Sequence, residues 1–158
     1  MASFWTKYRA FIVNIIIALA VGGVSAFSVY GSMREFDALI KPPLMPPSWV
    51  FSVVWTALFI LMGISAALVW RSGGDERGSA LTVYAVQLAM NFLWSIFFFR
   101  LGARLLAFFW LLFLLALVLL MISLFRAQSK CAARLQLPYA VWLVFAGYLN
   151  LAVYLLNG

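Results

Sequence analysis

The chain has 158 residues, 67% of them hydrophobic and 9% charged, where soluble domains average about 45–50% apolar and about 25% charged. That balance excludes a soluble globular or disordered protein and leaves an all-α integral membrane protein, read as a single domain over 1–158. The net charge of +7 does not indicate a nucleic-acid partner, because the 11 basic residues are spread over segment ends, where they anchor to headgroups.

Five apolar segments reach the roughly 20 residues that a membrane-spanning helix needs: about 10–30, 47–70, 79–99, 105–125 and 135–156. They lack the alternation of barrel strands, so a five-helix bundle is expected. The first segment follows Lys7 and Arg9 and runs into Val24-Ser25-Ala26, which also fits a signal peptide with its cleavage site. Its apolar run exceeds a usual h-region, and we read it as a span. Ala18, Gly22 and Ala26 recur every fourth residue there, the spacing at which small side chains let helices approach closely.

Between the first two spans stands KPPLMPPSWVFSVVW, from Lys41 to Trp55. Pro42, Pro43, Pro46 and Pro47 fix φ, remove backbone donors and push their predecessors out of the helical region. Lys41, Pro42 and Pro46 therefore belong to a stiff extended loop, with Pro47 in the first turn of the next helix. A rigid loop feeding a long apolar helix reads as a lid over something held between helices. On that second span Trp55, Phe59 and Met62 share a face.

The break at 71–78 is short and polar, and the third span follows. Gln87, Asn91, Trp94 and Phe98 step by four, three and four residues, so at about 100° per residue they share one face. Two readings hold for the amides, interhelical hydrogen bonding alone or contact with a ligand's polar groups as well. Ala85 and Ala89 lie on roughly the opposite face, a small-residue pair suited to a homodimer surface. Cys131, in the break that follows the fourth span, is the single cysteine and reads as a small loop residue; with no histidine in the chain, an intrachain disulfide and a Cys/His metal site are both excluded. The fifth span carries Pro138 near its start, then Tyr139, Trp142, Ala146 and Asn150, the last three four residues apart.

Trp5, Trp49 and Trp70 lie near segment ends, as interfacial belts require. Trp55, Trp94 and Trp142 lie well inside their segments. Three inward indoles, each with a stacking face and one N–H donor, together with amides and the small Ala146, suit a flat aromatic ligand. The acids Glu35, Asp37, Asp75 and Glu76 all sit in breaks, so the usual paired-carboxylate catalysis in the membrane is excluded and an intramembrane proton relay is disfavoured, and no catalytic residue, metal or cofactor is expected. Lys7, Arg9, Arg71, Arg77, Arg126, Lys130 and Arg134 fall on the N-terminal side, against Arg34, Lys41, Arg100 and Arg104 on the other, which favours a cytoplasmic N-terminus.

Four motifs, taken in order, resemble the translocator protein family, also called tryptophan-rich sensory protein or TspO, whose animal members include the peripheral-type benzodiazepine receptor. They are Asp37-Ala38-Leu39-Ile40-Lys41-Pro42 with Pro46-Pro47, Trp55-Thr56-Ala57-Leu58-Phe59, Gln87 to Trp94 with Phe97-Phe98, and Pro138 to Trp142 with Leu149-Asn150. The resemblance implies a five-helix bundle, commonly dimeric, with a pocket under the first loop that binds porphyrins such as protoporphyrin IX or synthetic isoquinolines and benzodiazepines. Carried over by motif, the pocket positions are Trp55, Asn91, Trp94, Trp142, Ala146 and Phe36, to which the residue reading adds Gln87. The chain departs from the family at Phe36, where a Tyr is frequent, and at Leu44, where a Trp is usual. Both changes remove oxidisable groups from the lid. Val153 to Gly158 lacks the basic residue of the animal sterol pattern.

These observations lead to a membrane tetrapyrrole-binding or sensory protein as the expected function. With no histidine, and no cysteine inside a span, the ligand is expected to be metal-free, its carboxylates meeting Lys41 or Arg34. A light- and oxygen-dependent porphyrin-degrading enzyme is the first alternative. A small-molecule transporter is the second, disfavoured by the lack of an inverted repeat and of intramembrane charge.

Overall fold

A computed structural model of the chain describes residues 4–158, apart from the side chain of Lys7, so that part of the orientation count lies outside the described residues. Apolar segments in lipid must satisfy every backbone polar group internally, and no strand occurs among the described residues. The helices are α1 (Phe4–Val29), α2 (Met33–Asp37), α3 (Ser48–Ser72), α4 (Arg77–Ser95), α5 (Arg104–Gln128), α6 (Lys130–Leu135) and α7 (Leu137–Asn157). A 3-10 turn, Tyr30–Ser32, joins α1 to α2, and a π turn, Ile96–Arg100, ends α4. Five stretches are long and apolar enough to cross a membrane: Tyr8–Asp37, Ser48–Ser72, Arg77–Arg100, Arg104–Gln128 and Lys130–Asn157. The chain is an integral multi-pass membrane protein, and its lipid-facing side chains meet the bilayer.

The expected spans are all present, with three local differences. The first continues beyond Tyr30 as helix, so Phe36 stands on the short α2 and not in the loop. Pro47 does not enter the next helix. It caps it with ψ 151°, an extended value, and α3 starts at Ser48. The fifth span is broken near its start, where Gln136 links α6 to α7.

The helices close on each other where side chains are smallest. A Cβ at Gly63 would lie 2.5 Å from Ile15 Cα, so glycine there lets α1 and α3 touch backbone to backbone. Ala18 is wholly buried at the same contact. The helix α5 packs against both α4 and α7, and α6 packs under α3, to which it is tied by the Ser65 hydroxyl donating to the Ala132 carbonyl at 2.7 Å. Met62, Ala66, Val69, Leu114, Val118, Met121 and Leu143 fill the interior of the half that carries the N-terminus. Trp5, Trp49 and Trp70 are exposed near helix ends, as interfacial anchors should be. The Arg77 guanidinium lies over the Trp70 ring and donates to the Trp70 carbonyl, fastening α4 to the end of α3.

Candidate functional site

The opposite half of the bundle is hollow. A cavity of about 580 Å³ lies between α1, α3, α4 and α7 under the segment that joins α2 to α3. Its walls are aromatic. Trp55 is the hub, with ring centroids 6.1 Å from Trp94, 5.9 Å from Phe59 and 6.2 Å from Tyr139. Trp94 stacks on Phe98 at 5.7 Å, and Phe36 meets Phe99 edge-on at 5.0 Å. Rings thus run without a break from the lid to the floor.

The π turn explains the crowd at the top of α4. Leu101 N–H donates to the Ile96 carbonyl, five residues back, at 2.9 Å. The extra residue in that turn changes the angular step, and the adjacent Phe98 and Phe99 both line the cavity.

The polar groups are few and ordered. Trp94 Nε1 donates to Asn150 Oδ1 at 3.1 Å, and Asn150 Nδ2 donates to the Arg104 carbonyl at 2.8 Å. Asn91 Nδ2 donates to the Tyr139 hydroxyl at 2.9 Å, which donates to Gln87 Oε1 at 2.8 Å. Asn91 Oδ1 has no partner among the described residues, which leaves an acceptor at the cavity floor. Ser25 donates to Ser95 at 3.0 Å, joining α1 to α4 across the wall.

The lid is fastened at several points. Tyr148 donates its hydroxyl to the Pro43 carbonyl at 2.9 Å. Asn157 bonds both backbone groups of Ile40. The Lys41 ammonium donates to the carbonyls of Phe36 and Leu39 and sits 4.1 Å from the Phe36 ring centroid. Partial burial lowers its pKa, and the nearby Asp37 carboxylate opposes that shift. At the tip Met45 N–H donates back to the Pro42 carbonyl at 3.3 Å, and Leu44 takes φ 67°, a left-handed value costly for a residue with a Cβ.

The exposed part of the lining comes from Leu19, Gly23 and Ala26 on α1 and from Ser48, Ser52 and Thr56 on α3. The cavity therefore opens sideways, through the gap between those helices, toward the lipid. Gly22 marks the inner end of that gap, since a Cβ there would lie 2.6 Å from the Phe59 ring.

Of the residues expected at the site, Phe36, Trp55, Asn91, Trp94 and Ala146 line the cavity together. Gln87 and Trp142 are not in the lining. Gln87 is wholly buried one turn below the floor, behind Tyr139. Trp142 stands behind Trp55, edge-on at 6.4 Å, with its Nε1 buried and without a partner among the described residues. Lys41, Pro42, Pro46 and Pro47 form the lid's frame, while Met45 supplies its inner surface. The contribution of α1, together with Ser95 and Phe99, is additional. Gly22 and Ala26 carried a signal in their small-residue spacing, which reads equally as helix packing and as room for a ligand.

The chain matches the sequence model of the TspO/MBR family over residues 12–156. It is 36% identical to the tryptophan-rich protein TspO of Archaeoglobus fulgidus, over 92% of this chain and 95% of that protein. It is 34% identical to protein CrtK of Rhodobacter capsulatus, over 89% of each, and 35% identical to the human translocator protein, over 98% of this chain and 92% of that one.

Proposed function

The chain belongs to the TspO/MBR family, and from that premise we propose that it is a membrane receptor for a flat aromatic ligand of the porphyrin class, held in the cavity beneath the lid. The observation that carries this reading is the wall formed by Trp55, Trp94, Phe98 and Phe99 around about 580 Å³ of space. Pockets for small ligands span about 300–1,000 Å³ and are mostly apolar, with few polar groups to fix orientation. The indole and phenyl faces supply stacking surface. Asn91 Oδ1 and the serines of the mouth supply the few polar contacts.

The ligand is a metal-free macrocycle in this reading. The chain has no imidazole, and Cys131 lies far from the lining. Lys41 is engaged with loop carbonyls, so Arg34, exposed on α2, is the better partner for a ligand carboxylate at the membrane surface. Binding and sensing are favoured over photochemical degradation, since Phe36 and Leu44 carry no phenol or indole to the lid. We further take the exposed Ala85 and Ala89 of α4 as the surface for a second copy, and the N-terminus as cytoplasmic.

The test is a titration of the purified protein with protoporphyrin IX, read by the porphyrin's own absorption. A saturable shift in the wild type that is lost in Trp55→Ala and Trp94→Ala is the expected result. Equal shifts in all three proteins would remove the cavity from the account.

A further inference from the structure

The helices α4 and α7 run the same way through the bundle and meet along a polar seam. Trp94 pairs with Asn150 at the cavity wall, and Asn91 and Gln87 share the Tyr139 hydroxyl at its floor. One turn further toward the N-terminal end of each helix stand Tyr84 and Gln136. The offset of 52 positions that pairs Gln87 with Tyr139 also relates Tyr84 to Gln136, each three residues before a member of that pair and so continuing the face of its helix that carries the seam.

This next rung is incomplete. Gln136 is 0% exposed and Tyr84 5%. The Tyr84 hydroxyl and both amide atoms of Gln136 have no hydrogen-bond partner among the described residues. Gln87 Nε2 is scarcely better placed, its one partner among the described residues being the Met62 sulfur at 3.8 Å, a weak acceptor. Buried polar groups in folded proteins are paired, with protein or with ordered water, in the great majority of cases. Two side chains that the helix register brings to one level, each with spare bonding capacity, call for something that donates and accepts at once. Ala80, Ala132 and Ala133, which are small, belong to the same buried cluster as Tyr84.

We propose that an internal water site lies between Tyr84 and Gln136. Tyr84 Oη, Gln136 Nε2 and Gln136 Oε1 give the water the two to four partners that a buried water makes. The site completes a hydrogen-bonded seam from the cavity floor at Asn91 toward the membrane face that carries Arg77 and Lys130. The water supports Gln87 and Tyr139 from below, and so holds the floor of the cavity at a fixed depth. This inference stands on the burial and register of α4 and α7, and does not depend on which ligand the cavity takes.

The sign of a stability change tests it. Gln136→Met keeps the length of the side chain and removes both amide atoms, and Tyr84→Phe removes only the hydroxyl. With a resident water, each substitution strips it of partners and lowers Tm by about 2–4 °C. The double variant then loses less than the sum, because both changes act on the same molecule. If the rung is dry, each substitution relieves an unpaired group, Tm holds or rises, and the effects add; that result overturns the proposal. A crystal structure of the full wild-type chain, at a resolution that places waters, decides the matter even if a variant fails to fold. Density bridging Tyr84 Oη and the Gln136 amide supports the site, while a direct bond between them, or no density, refutes it.

Discussion

Asn157 Oδ1 accepts from the Ile40 amide at 2.9 Å while its Nδ2 donates to the Ile40 carbonyl at 3.0 Å. The last turn of α7 thus grips the start of the lid by both backbone groups of one residue, as a neighbouring strand would. Two such bonds contribute about 1–3 kcal/mol together in water-exposed settings, toward the lower end when solvent competes.

Asn157→Ala should leave the bundle intact and free this end of the lid. The expected outcome is a dissociation rate for protoporphyrin IX faster by roughly three- to tenfold, with thermal stability little changed. Stopped-flow displacement by excess competing ligand measures it. An unchanged rate means that Tyr148 and Lys41 hold the lid without help.

The indoles should separate by position. Trp94→Ala removes a ring that faces the cavity and the partner of Asn150, and should weaken protoporphyrin IX binding by at least about tenfold, or ~1.4 kcal/mol. Trp142→Phe keeps an aromatic ring behind Trp55 and discards an Nε1 without a partner among the described residues, so affinity should stay within about twofold of the wild type. Comparable losses in both variants would mean that the ligand reaches past Trp55.

The contact between α1 and α3 should tolerate no added atom. Gly63→Ala places a methyl 2.5 Å from Ile15 Cα, a backbone atom that cannot turn away, and should cost about 1–3 kcal/mol of stability. Gly23→Ala meets nothing within 4 Å and should be neutral in stability. Paired melting curves in one detergent compare them directly.

Orientation is open to direct chemical test through the single exposed cysteine. Cys131 lies on the face that carries the N-terminus, next to the cationic residues Lys130 and Arg134. A membrane-impermeant maleimide should label it in inverted vesicles and leave it protected in sealed right-side-out cells. The reverse pattern would place the N-terminus outside and set aside the charge argument.

The span count and the inward face of α4 were legible in the sequence, because apolar length and helical periodicity are strong, local signals. Depth was not. Gln87 shares its face with Trp94, yet lies one turn below Asn91, the last residue of that face in the lining, and is wholly buried with its Oε1 on the Tyr139 hydroxyl from another helix. Trp142 fails for an angular reason. Steps of four residues drift by about 40° each, so Trp142 sits about 80° round α7 from Asn150, far enough to fall behind Trp55. The π turn that brings Phe99 into the lining has no signature in a run of phenylalanines. Neither does the left-handed Leu44, where turn chemistry would call for glycine or asparagine. The role of α1 was hidden because a stripe of small residues looks the same whether a helix or a ligand fills the groove.

On the proposed reading, the pinch at Gly63 and Ile15 also governs how a bulky guest gets in. The two helices that flank the sideways opening are fastened together at that crossing, in the half of the bilayer away from the lid. From Ile15 to Ala26 is about 16 Å along the helix. Admitting a planar guest from the lipid then requires α1 to swing like one blade of a pair of scissors, pivoting where no side chain intervenes. Over that lever arm a tilt of roughly ten degrees parts the tips by nearly 3 Å, while the rivet itself scarcely moves.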